Sequence, residues 1–137
     1  MADELIMVNV MSLTYNKLVS LPAFLKNGML VLTHAGIKNF VLNAMMAQSL
    51  NKKDWPITYS YESVKVSDAQ CVVNCTFSYG NYTVTETGET GARTLYTDVA
   101  KNYPYLEAQK RAFDRAAISF FQFQVDGRQV YSDSEIK

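Results

Sequence analysis

The run Cys71-Val72-Val73-Asn74-Cys75-Thr76-Phe77-Ser78-Tyr79 constrains this chain most. Cys71, Val73, Cys75, Phe77 and Tyr79 alternate with mostly polar Asn74, Thr76 and Ser78, the period of a strand with one packed face and one wet face. Turn signals bracket it, Ser67-Asp68 before and Gly80-Asn81 after, so three antiparallel strands are predicted over roughly 57–66, 70–79 and 82–87. Thr83, Thr85 and Thr87 continue the polar face, as expected of an antiparallel sheet that is wet on one side.

Helical patterns flank this meander. Thr33 is a candidate N-cap, and Ile37, Phe40, Val41, Ala44 and Met45 line one face of a helix over roughly 34–49. Asn51 to Asp54 form a polar turn, and Trp55-Pro56 opens the extended segment. Tyr103-Pro104 starts a second helix with proline at its first position. Leu106, Phe113, Ala116, Ala117 and Phe120 form its apolar face; Glu107, Lys110, Arg111 and Asp114 fall on the other, with Glu107 and Arg111 at pairing distance along the helix. Residues 1–30 read as a strand over Leu5 to Met11 and a short amphipathic helix from Tyr15 to Leu25, ended by Asn27-Gly28. The expected fold is therefore α+β: helix, three-stranded antiparallel β-meander, and a long helix packed across the sheet, an α-β-β-β-α core. The 137 residues fit one domain over 1–137, with 31–133 as the core and 1–30 as an N-terminal segment suited to a subunit interface.

Composition narrows the function classes. Hydrophobic residues make up 48% of the chain, which places it among globular proteins. Charged residues are only 19% and aromatics reach 12%, a surface poorly guarded against association, so an oligomer is expected. No run is apolar enough to span a membrane. Asp3 and Glu4 stand where a signal peptide carries positive charge, so a cytoplasmic protein is expected. Cys71 and Cys75 lie on one strand face, roughly 13 Å apart by strand rise. They are too distant for a disulfide, and with a single histidine there is no zinc set. His34 sits at a helix start, where a solvated or capping role is expected, and no phosphate cradle or nucleophile motif is present. Neither catalytic residues, nor a metal, nor a cofactor is expected.

Binding fares better. Thirteen basic residues balance thirteen acidic ones, but unevenly. Residues 15–65 hold Lys17, Lys26, Lys38, Lys52, Lys53 and Lys65 against Asp54 and Glu62. Residues 93–115 hold Arg93, Lys101, Lys110, Arg111 and Arg115 against Asp98, Glu107 and Asp114. If the two basic stretches converge on one groove, a neutral chain can still track a phosphate backbone. Tyr59, Tyr61, Tyr79 and Tyr82 are candidates for stacking on bases, whereas Phe77, Phe113 and Phe120 read as core.

The segment from Tyr103 to Ala116, with Ala108-Gln109-Lys110-Arg111-Ala112-Phe113 at its centre, followed by Gly127-Arg128-Gln129-Val130-Tyr131-Ser132-Asp133, resembles the single-strand annealing proteins. These are the phage proteins of the Erf, RecT and Redβ types and the eukaryotic annealing protein of the Rad-fifty-two type. Leu32-Thr33-His34-Ala35-Gly36 and Trp55 have counterparts in phage relatives. The resemblance covers roughly residues 29–133. It implies an ATP-independent protein of DNA recombination and repair, from a phage or mobile element, that binds single-stranded DNA, anneals complementary strands, and assembles into a ring or helical filament. It places Lys110 and Arg111 on the DNA backbone. The next basic position of the family falls on Asp114, with Arg115 adjacent, and Lys38 is nearest to the family's basic residue on the first helix. Arg93 and Lys101 complete the expected cation set, without a motif to anchor them.

Three other readings compete. A double-stranded-RNA-binding-like module shares the element order, although its second helix would begin with the basic cluster. An OB-like single-strand coat needs a five-stranded closed barrel, against three strands counted from the pattern. A structural or assembly subunit without nucleic-acid binding suits the neutral charge equally.

Overall fold

The computed structural model describes residues 5–14, 16–26, 29–51, 57–67, 70–91 and 103–133. Three strands come first: β1 (Ile6–Ser12), β2 (Lys17–Lys26) and β3 (Met29–Leu32). Helix α1 (His34–Asn51) follows, then β4 (Thr58–Val66), β5 (Cys71–Tyr79) and β6 (Tyr82–Thr90). Helix α2 (Pro104–Phe121) leads into three short strands, β7 (Phe123–Val125), β8 (Arg128–Gln129) and β9 (Tyr131–Ser132).

The expected α-β-β-β-α core is overturned. The protein is mostly β, with two sheets, one in the order β8-β7-β1-β2-β3-β9 and the other β4-β5-β6. What the sequence pattern missed is the six-stranded sheet. Lys17 to Leu25, expected as part of a helix from Tyr15, lies instead in β2, whose Leu21 and Ala23 are buried at strand period; Tyr15 itself lies outside the described residues. Leu18 and Leu25, which gave the segment its helical look, are exposed. Pro22 fits inside this strand for a local reason. Its carbonyl accepts a hydrogen bond from Thr33 N at 3.1 Å, while the Thr33 carbonyl is taken by Ile37 N in the first turn of α1 at 3.1 Å. No acceptor faces the position where Pro22 lacks a donor.

The six-stranded sheet closes on itself. β8 and β9 are separated by Val130 alone, yet they lie at its two opposite edges. The ribbon 128–132 pairs antiparallel with β7 through Val125↔Arg128 and parallel with β3 through Val31↔Tyr131. Counted as one strand, the ribbon makes this a small five-stranded barrel, which removes most of the sheet edges. The β7–β8 turn is Asp126-Gly127, with φ of 52° and 77°, the left-handed pair that a two-residue hairpin requires.

The second sheet forms where the alternation predicted it, in unbroken antiparallel register from Cys71↔Thr90 to Tyr79↔Tyr82. Cys71, Val73, Cys75 and Phe77 are buried beneath α2, and the other face carries a hydroxyl ladder, Thr76 to Thr85 at 2.8 Å and Thr87 to Asn74 at 2.6 Å. Thr33 caps α1 as expected, its Oγ1 accepting from Gly36 N at 3.0 Å. The two halves share one core. Phe77 packs on Phe120, Phe120 on Phe121, Phe121 on Phe40 and Phe40 on Phe123, with centroids 4.9–5.5 Å apart along the chain of rings.

Candidate nucleic-acid interface

Gly88 fixes how α2 lies on the second sheet. A Cβ there would collide with the backbone nitrogen of Ala112 and the carbonyl oxygen of Ala108, so the helix backbone rests directly on β6. With α2 seated over β5 and β6, the residues of β4 on the same face, Tyr59, Tyr61 and Ser63, run alongside the helix rather than under it. Tyr105, at the start of α2, joins them through a 2.6 Å hydrogen bond between its hydroxyl and that of Ser63.

Phe113 is the hub of this aromatic cluster. Its ring contacts Tyr59 at 5.1 Å, Phe77 at 5.4 Å and His34 at 5.9 Å, and Lys38 Nζ lies 5.9 Å from its centroid. Tyr61 packs edge-on against Tyr59 at 5.9 Å and remains 37% exposed. Its hydroxyl is held well above the ordinary tyrosine range, first by desolvation and then by Cys75. The Cys75 thiol is pushed up to about 12 by burial and, secondarily, by the Asp114 carboxylate, which keeps it neutral and a poor nucleophile.

Asp114 is wholly buried on α2 and accepts hydrogen bonds from two side chains. His34 Nδ1 meets its Oδ1 at 2.6 Å, and Ser132 Oγ donates to its Oδ2. Asp133 takes the backbone N–H of His34 at 2.9 Å, so the ribbon 128–132 and the residue after it tie the start of α1 to the middle of α2. The arrangement orders a carboxylate between a hydroxyl and an imidazole. Among the described residues no group of three or more His, Cys, Asp or Glu is placed to hold a metal ion.

The six expected DNA-binding residues separate into three sets. Lys38 is exposed over Phe113, and Lys110, one turn before Phe113 and Asp114 on α2, is 44% exposed and pairs with Glu107 at 3.5 Å. Arg111 and Arg115 turn the other way. Arg111 is 8% exposed and donates to the Glu89 carbonyl at 2.7 Å, and Arg115 donates to that of Thr87, also at 2.7 Å. These two carbonyls lie on the outer edge of β6, so the arginines fasten α2 to a strand edge and cover it. Arg93 and Lys101 lie outside the described residues. Glu107, expected to pair with Arg111 along the helix, meets Lys110 at 3.5 Å.

Phe77, Phe113 and Phe120 are core, as expected, each at most 1% exposed. Sequence reasoning missed the role of Asp114, although it had marked that position as the departure from a basic pattern. The available signal is that Ala117, Ile118 and Phe121 follow Asp114 at helical spacing, which puts the acid on the packed side of α2 and not on the polar face expected for it. Two clefts among the described residues are lined by none of the six cations. One of about 450 Å³ lies between β2 and α1, lined in part by Lys17, Ser20, Asn39 and Asn43. The other, of about 470 Å³, opens between the β2–β3 end and the β7–β8 turn. No helix among the described residues is long and apolar enough to cross a membrane. Comparison with the profiles of known families, with curated proteins and with solved structures finds no match to this chain.

Proposed function

We propose that this chain binds single-stranded DNA along the face beside Phe113 and, as a homo-oligomer, anneals complementary strands without ATP. The observation that carries the reading is the convergence on Phe113 of one exposed lysine and a row of tyrosines, with Lys110 one helical turn away. Aromatic faces take bases whatever their sequence, and lysines at the rim take phosphates. Sequence-independent recognition of this kind needs few cations, which suits a chain of zero net charge. The resemblance at Lys110-Arg111 supports the same reading with one change of role. Lys110 and Lys38 meet the backbone, while Arg111 and Arg115 hold the helix that presents Lys110.

An annealing assay tests this reading. Two complementary labelled oligonucleotides are mixed with the protein and no nucleotide cofactor, and duplex formation is followed by energy transfer. Wild type accelerates pairing, and Lys38→Ala/Lys110→Ala loses most of the acceleration. Binding of single strands with no acceleration of pairing favours a second reading, a strand-coating protein of OB-like type, for which the closed five-stranded barrel speaks. No binding of single strands overturns both.

A further inference from the structure

The hydrogen bonds around Asp114 assign the proton of the His34 ring. A wholly buried carboxylate, already accepting from Ser132 Oγ, faces Nδ1 at 2.6 Å, so Nδ1 carries the hydrogen and donates it. Nε2 is left as the adjustable atom. It has no partner among the described residues, whereas every buried side-chain nitrogen and oxygen among them has one. Nε2 therefore opens to solvent, in keeping with a side chain that is 20% exposed. In the neutral ring it offers a lone pair, which repels an anion. In the imidazolium it offers an N–H and a positive charge.

The neighbours of His34 suit an anion on that open side. Lys38 follows one turn later on α1, and both side chains reach Phe113. The imidazole lies 5.9 Å from that ring at a steep 74°, and Lys38 Nζ lies 5.9 Å from its centroid. No carboxylate pairs with Lys38 among the described residues. Like charges four residues apart on a helix repel each other, and an anion held between them removes the repulsion. The remaining charged or titratable groups are placed elsewhere. Asp114 of α2 sits at the Nδ1 side of the ring, and Asp133, after β9, is engaged by the backbone N–H of His34. Tyr59 of β4 is reached only across Phe113, and β2 brings Lys17 to the cleft it shares with Ala35 and Asn39.

We infer that His34 Nε2 and Lys38 Nζ together hold one phosphodiester group of the bound strand, and that each copy takes up a proton as it takes up the strand. The contact deepens the proposed function and rests on it. To the two lysines it adds a third cation that exists only while the imidazole is charged. The opposite coupling belongs to a different ligand group. A base amino group donating to the neutral Nε2 would bind better as the proton leaves. The sign of the pH dependence therefore separates a phosphate from a base at this position.

The test is fluorescence anisotropy of a labelled single-stranded oligonucleotide at constant salt, from about pH 5 to about pH 8, where histidine changes charge. Wild-type affinity falls as pH rises, by about tenfold over that range, the factor that one charge-assisted hydrogen bond supplies. His34→Gln keeps every other titrating group, binds at the weaker level throughout and loses the dependence. Parallel profiles for the two proteins, or a wild-type affinity that rises with pH, overturn the inference and leave strand binding standing. No binding at any pH overturns the proposed function with it. Proton NMR of the wild type covers a variant that fails to fold. The chain has one histidine, so its imidazole Cε1–H signal is unambiguous. With the strand bound, that signal completes its titration at a higher pH than without it, as linkage requires. The same titration in both states overturns the inference.

Discussion

Asp114 is wholly buried, so its carboxylate lives on the groups that face it, His34 and Ser132 foremost. Replacing it by alanine strips the acceptor from buried or half-buried donors, at about 1–3 kcal/mol for each group left without a partner. Asp114→Ala should lower the urea midpoint accordingly, and Asp114→Asn, which keeps an acceptor oxygen, should lower it less. The sulfur one strand away makes a second case. Folding raises the Cys75 thiol from 9.0 to about 12, and Tyr61 is raised as well. Each is neutral in the folded state, so its contribution is complete below the unfolded value and is lost as pH rises through the folded one. Thermal unfolding temperature should therefore fall from pH 9 toward pH 12, and fall less steeply in Cys75→Ala. In the native protein at neutral pH neither Cys71 nor Cys75, both buried, should react with a thiol reagent until denaturant is added.

The elements stand on a few such contacts. Gly88 lets α2 sit on β6, and Gly88→Ala forces backbone against backbone, so it should cost at least the about 1–3 kcal/mol typical of overpacking. A lower denaturant midpoint with an unchanged slope checks this. The strand β5 and both helices were legible because each has an apolar period repeated over several turns or alternations. The barrel was not. Its strands β3, β7, β8 and β9 span two to four residues each, too short for any period to show. In β2 the spacing of Leu18, Leu21 and Leu25 imitates a helix, although two of the three are exposed. The Asp126-Gly127 pair was the available signal for the β7–β8 hairpin, and nothing in sequence announces that Arg128 to Ser132 bridges two edges. At the candidate site, residue type was legible and direction was not. Four neighbouring positions on α2 carry charge, yet Lys110 faces solvent while Arg111 and Asp114 are buried and Arg115 bonds a strand edge.

At the scale of the molecule, zero net charge and the division of the cations belong together. Of the four described members of the expected DNA-binding set, two cover the β6 edge, and Lys38 and Lys110 are left beside the Phe113 cluster; on the proposed function a long strand is therefore held by many copies, each contributing little. Tyr61→Ala, which removes an exposed ring of the Phe113 cluster, should weaken single-strand binding by about 1–3 kcal/mol, that of a stacked base. The measurement that tests the central claim most directly is fluorescence anisotropy of a labelled oligonucleotide, single-stranded or duplex, titrated with protein at several salt concentrations. The account predicts preference for the single strand, weakening with salt, and a salt slope reduced by about 1.4 in Lys38→Ala/Lys110→Ala, two contacts at about 0.7 each. Equal affinity for duplex and single strand, or a variant that binds like wild type, would contradict it.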